Sequence, residues 1–149
     1  MMKLTPFLLF AFMIFILSFS VTNDIISNEG QYMQYDQVSM RFQGNDAVIS
    51  VSYSLDMFSR MYVLLLGAYN LEPALDDFFL DFAEVEILEI GRDHAVVFAS
   101  DVSRNNDAYY LHDSHELGSR VKVLTLVYPD GSTRSMSGVR STPDTFYSG

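Results

Sequence analysis

The chain contains no cysteine. That excludes a disulfide framework, a thiolate metal site and a cysteine nucleophile, and leaves burial alone to hold an exported fold together. Tryptophan is absent too, and lysine occurs only at Lys3 and Lys122. Nine basic residues stand against 19 acidic ones, for a formal charge of −10. Nucleic acid and anionic lipid surfaces would be repelled by such a chain, so no nucleic-acid partner is expected. Neither a glycine-rich phosphate loop nor a G-x-S-x-G nucleophile elbow occurs, and no Asn-x-Ser/Thr acceptor for glycosylation is present.

Apolar residues make up 49% of the 149 residues, enough for one well-filled core and too short a chain for two. One long hydrophobic run follows Lys3. Residues 4–23 carry no charge, and their apolar heart is FLLFAFMIFIL at 7–17. As a helix this run of about 20 residues would be ~30 Å long, the thickness of a hydrocarbon core. Residues 1–20 therefore read as a membrane anchor, a transmembrane helix, or as a signal peptide. Lys3 stays in the cytoplasm and the rest of the chain lies outside it. Ser18 and Ser20 occupy the −3 and −1 positions of a cut after Ser20, which would give a secreted form instead. Residues 21–37 are polar without a period and read as a tether, and 38–149 as a single extracytoplasmic domain.

Within that domain the periodicity changes twice. Val38, Met40 and Phe42, then Ile49, Val51 and Tyr53, alternate with polar neighbours around Gly44-Asn45-Asp46, the pattern of a hairpin with one wet face. Phe58, Met61, Tyr62, Leu65 and Tyr69 then recur at helical spacing. They predict a core helix over about 55–69, with Ser54 as N-cap and with Ser59, Arg60, Val63 and Gly67 left facing water. A second helix over about 73–82 begins with Pro73, buries Leu75, Phe78, Phe79 and Phe82, and turns Asp76, Asp77 and Asp81 to solvent. Strand patterns return at 84–90, 94–102, 108–112, 120–128 and 132–139, the last two joined by Pro129-Asp130-Gly131. A tail with Phe146 and Tyr147 is expected to dock on the domain. The fold class is therefore α+β: a mainly antiparallel β-sheet of about five to seven strands, with the helix pair packed on one face.

Chemistry-bearing residues gather in two places. His112-Asp113-Ser114-His115-Glu116 offers two imidazoles and two carboxylates, and His112, His115 and Glu116 form a candidate zinc set, with His94 as a further nitrogen. A polar, solvated loop is the simpler reading of the same residues. Asp101, Ser103, Asn105 and Asp107 place oxygens at alternate positions, as in the first half of a calcium loop. Arg104 in its middle, Asn106 at the turn position and His112 at the bidentate position speak against that metal. The acidic row Asp76, Asp77, Asp81 and Glu84 reads as a solvated helix face rather than a catalytic pair.

No catalytic set emerges, and the expected function is that of a non-enzymatic, membrane-anchored module binding a protein or a small ligand. Two alternatives come from other classes. One is a small metal-dependent hydrolase using the 112–116 loop, and the other a structural component of a cell-surface assembly.

Overall fold

A computed structural model describes residues 32–149. The anchor or signal segment at 1–20 and most of the tether lie outside the described residues. Strand β1 (Met33–Gln43) and strand β2 (Asp46–Leu55) form the expected hairpin. Gly44 makes it possible by taking a φ of 63° at the first position of the two-residue turn. Buried Val38, Met40 and Phe42 on β1 face the same way as Ala47, Ile49, Val51 and Tyr53 on β2. Residues 33–37, tether by their sequence, are the first half of β1. Their alternation was hidden because the register slips between Tyr35 and Gln37, so that Met33 and Tyr35 share the buried side with Val38 despite the odd spacing.

Helix α1 (Met57–Leu66), a 3₁₀ turn (Ala68–Leu71) and helix α2 (Glu72–Phe78) follow. The remaining strands are β3 (Glu84–Ile90), β4 (His94–Ser100), β5 (Arg104–Asn106), β6 (Tyr109–His112), β7 (Glu116–Val127), β8 (Thr133–Ser141) and β9 (Thr145–Tyr147). Six strands make one sheet in the order β3-β4-β2-β1-β7-β8, and three make a second in the order β5-β6-β9. The protein is thus mostly β, with two short helices. The large sheet is mixed rather than antiparallel, because β1 runs parallel to β7, from Tyr35 opposite Val121 to Arg41 opposite Val127. Residues 116–119, read as loop, already belong to β7.

One face of the large sheet is buried and the other is wet. Near Tyr35 the buried face is covered by α2. Tyr35 stacks on Phe78 at 3.9 Å between ring centroids and donates its hydroxyl to the Ala74 carbonyl at 3.1 Å. Leu75, Phe78, Phe79 and Phe82 are all buried as expected, but the helix ends at Phe78 rather than near 82, and Phe79 and Phe82 are buried from the turn that follows it. Near Phe42 the same face is covered by the small sheet, where Tyr147 stacks on Phe42 at 4.5 Å. Phe146 and Tyr147 of the tail dock as strand β9, with Tyr147 buried and Phe146 exposed.

Helix α1 overturns its sequence reading. It is turned about: Val63, one of the residues expected to face water, is the buried one, while Phe58 and Leu65 are each 80% exposed. Asp56, not Ser54, is the N-cap, its carboxylate accepting the Ser59 N–H at 2.7 Å. The periodicity showed two unlike faces. Which face met the domain depended on how the short link from Leu55 delivers the helix, and that carries no periodic signal.

Candidate functional site

The 112–116 stretch is a solvated loop only in part: Asp113, Ser114 and Glu116 are exposed, but the two histidines are not. His112 closes β6 and is 1% exposed, its ring resting 5.1 Å from that of Phe42. Its Nδ1 lies 2.6 Å from the Val102 carbonyl oxygen, which only accepts, so Nδ1 carries the proton. Nε2 then accepts from the Thr142 hydroxyl at 3.0 Å, and the same Thr142 oxygen accepts the His115 N–H at 2.8 Å. Burial holds the His112 imidazole below its ordinary pKa. The neutral ring is fully bonded in this arrangement, which is the hydrogen-bond pattern of a structural histidine.

His115 stacks on His112 with centroids 5.3 Å apart and planes at 26°, and Phe82 packs edge-on to it at 4.6 Å. Its Nδ1 is 3.0 Å from the Asp113 carbonyl oxygen. A metal lies in the plane of each imidazole that ligates it, and near-parallel stacked rings do not aim their lone pairs at one point. Glu116 is exposed, and its backbone N–H donates to Asp81 at 2.7 Å. Among the described residues, no group of three His, Cys, Asp or Glu is arranged to hold a metal ion. His94 stands at the start of β4 and Val102 lies beyond its far end, so His94 is remote from this cluster. It is bonded instead to Asp93 at 2.8 Å and Glu89 at 3.2 Å. The calcium candidate is dispersed in a similar way. Ser103 points inward, its hydroxyl donating to that of Tyr147 at 2.9 Å, while Asn105 sits in β5.

A different site is assembled by the small sheet and the β7–β8 turn. Tyr109, Leu111, Tyr128, Phe146 and Tyr147 wall an open groove of about 760 Å³, with Asp130, Ser132 and Thr145 as its polar members. Adjacent residues of a strand point to opposite sides. Tyr109 therefore reaches out to meet Phe146 edge-on at 6.3 Å, while Tyr110 turns in to stack on Tyr147. Tyr128 is held by a hydrogen bond between its hydroxyl and Thr145 Oγ1, 2.9 Å apart.

Asp130 adds the charge. Its Oδ1 accepts both the N–H and the hydroxyl of Ser132, at 2.8 and 2.6 Å. These bonds, led by the hydroxyl, hold the carboxyl below the usual carboxylate range, so it is ionised at neutral pH. Oδ2 is engaged by no hydrogen bond among the described residues. In the sequence, neighbouring Tyr109 and Tyr110 on a strand place one ring outward, and Pro129-Asp130-Gly131 reads as a turn. Nothing local in the sequence brings the two together, since β6, β7 and β9 meet only through the two sheets.

The other conspicuous surface is α1. Met57, Phe58, Met61, Tyr62, Leu64, Leu65 and Leu66 are each more than half exposed. Beside it runs a second groove of about 630 Å³, between α1 and the β3–β4 turn, lined in part by Arg60, Leu64, Arg92, Asp93 and His94.

No protein-family model matches the chain, and neither a curated protein nor a solved structure does.

Proposed function

We propose that this chain is a membrane-held domain outside the cytoplasm that works by binding another protein, not by catalysis, and that its aromatic groove receives a cationic side chain of that partner. The observation that carries the reading is the groove itself: aromatic rings around an ionised carboxylate with an uncommitted oxygen. Ring faces attract a guanidinium or ammonium group, and a carboxylate bonds it directly. The chain's net charge of −10 draws a basic partner toward the surface from a distance. The uncharged run at 4–23 supports the membrane placement.

The test is a titration of the full chain with an oligo-arginine peptide, followed by NMR or calorimetry, with an oligo-glutamate peptide as control. Saturable binding of the basic peptide is expected, weakened by Asp130→Asn and by Phe146→Ala. Glu86→Gln removes one charge elsewhere and should leave binding nearly intact. If Glu86→Gln and Asp130→Asn weaken it equally, the attraction is diffuse and the groove is not the site.

A second reading, a component of a cell-surface assembly, draws on the open edges of the large sheet. Edge strand β3 carries Glu84, Glu86 and Glu89, and edge strand β8 carries Arg134 and Arg140. Opposite charges on opposite edges suit head-to-tail pairing of copies. That reading expects a mass that rises with concentration at low salt, and a monomer at every concentration would sink it.

A further inference from the structure

The outward side of α1 is apolar over more than half of its circumference. At 100° per residue, the side chains from Leu64 through Met61 and Phe58 to Leu66 cover an arc of about 200° that contains no charge. Ser59 and Val63 occupy the opposite side, toward the domain, and of all ten residues only Val63 is buried. A protein groove that takes an amphipathic helix covers one stripe of it. A helix lying in a membrane interface is covered over about half its circumference, and Tyr and Phe beside Leu suit that layer.

The flank of the arc supplies complementary charge. Arg60 and Arg92 line the groove beside α1 together with Leu64, which belongs to both surfaces. Neither arginine is in an ion pair among the described residues. The Arg60 guanidinium donates only to the Leu55 carbonyl, at 3.3 Å. Asp93, the carboxylate of this groove, and nearby Glu89 are both bonded to His94 rather than to either arginine. Two guanidinium groups outside any ion pair, at the border of an apolar arc, match the border of a phospholipid leaflet, where phosphate gives way to acyl chain. Chain length agrees. Tyr32 sits at the start of α1, its carbonyl oxygen accepting the Asp56 N–H at 3.0 Å. The chain from Asn23 to Tyr32 can span at most ~32 Å even if fully extended.

We infer that α1 is a membrane-seating element: its apolar arc enters the leaflet facing the domain, with Arg60 and Arg92 on the lipid phosphates. The inference rests on the membrane anchoring proposed above. A zwitterionic leaflet is the match, because the acidic remainder of the surface is repelled by an anionic one. Seating has a consequence for binding. Strand β2 runs from its Asp46 end, beside the Gly44 turn that Tyr147 caps, to its Leu55 end, which leads into α1. Ten residues of strand put the two ends ~30 Å apart, so a domain seated on α1 holds the aromatic groove away from the lipid.

The absence of tryptophan makes the test clean, since one introduced indole is the only one present. The full chain carrying Phe58→Trp or Leu65→Trp is reconstituted into phosphatidylcholine vesicles, with Phe146→Trp as the reference. Flotation with the vesicles reports anchoring separately. Expected are a blue-shifted emission from positions 58 and 65 and loss of most of it when the acyl chains are brominated. The indole at position 146 should stay unquenched. Adding Arg60→Glu and Arg92→Glu should restore much of the emission while the chain still floats. Flotation with unquenched indoles at 58 and 65 would overturn seating and leave anchoring intact. Failure to float would overturn both. A blue shift that follows protein concentration and ignores bromination would show that a second copy covers α1, and would overturn seating too. Unchanged quenching in the double arginine variant would remove the phosphate contacts from the proposal.

Discussion

Gly118 lies against the backbone of Asp77. A side-chain carbon at position 118 would press on the Asp77 carbonyl oxygen and stand 2.9 Å from the Phe78 Cα. Strand β7 can approach the end of α2 this closely only because it presents a glycine there. Since the obstacle is backbone rather than a flexible side-chain tip, Gly118→Ala should shift α2 and lower stability by ~1–3 kcal/mol. Urea denaturation checks this, and an unchanged midpoint would mean that α2 yields freely.

The two helices should respond oppositely to truncation. Leu75 is fully buried on α2, so Leu75→Ala should cost ~2–5 kcal/mol. Leu65 is 80% exposed on α1, so Leu65→Ala should stay within about 0.5 kcal/mol in detergent-free solution. Thermal or urea unfolding of the pair decides it. A large loss at Leu65 would mean that α1 packs by its apolar face after all.

Tyr147 ties the C-terminal strand to both the first hairpin and the link between β4 and β5. Its hydroxyl donates to the Gly44 carbonyl at 2.7 Å and lies 2.9 Å from Ser103 Oγ. Tyr147→Phe keeps the ring on Phe42 and removes only these bonds, leaving buried Ser103 without that partner. A loss of ~1–3 kcal/mol is expected in equilibrium unfolding.

Stability should fall in mild acid, and His112 should be a main cause. Burial lowers the folded pKa of His112, and of half-buried His115, from 6.5. The unfolded chain then binds more protons than the folded one as pH drops below about 6.5, so stability declines from that point until the folded pKa is passed. His94 acts in reverse. Its bonds to Asp93 and then Glu89 raise its pKa, so its contribution is present below 6.5 and fades as pH rises through the raised value. It lies on the surface, where solvent screens its partners, and does not offset buried His112 together with half-buried His115. Urea midpoints between pH 7.5 and 5.5 should fall for the parent and fall less for His112→Gln. Parallel curves would show that another group titrates.

The sequence by itself determined what local chemistry determines. Alternation at 38–43 and 49–54 specified the β1–β2 hairpin, and Pro73 with the phenylalanine spacing specified a helix at α2 and its buried side. Asp130-Gly131 specified the last turn. These signals sit within a few residues of one another, and short-range geometry converts them into structure. Tertiary structure decided the rest. The parallel pairing of β1 with β7 joins segments about 85 residues apart, and no local pattern distinguishes a parallel neighbour from an antiparallel one. His112 reads as part of a polar loop until Phe42, Val102 and Thr142 close around it. The 54–70 stripe fixed a helix with two unlike faces but not its rotation about its own axis. An apolar face is buried only if some other surface is delivered to it, and in this domain the delivered surface met Val63.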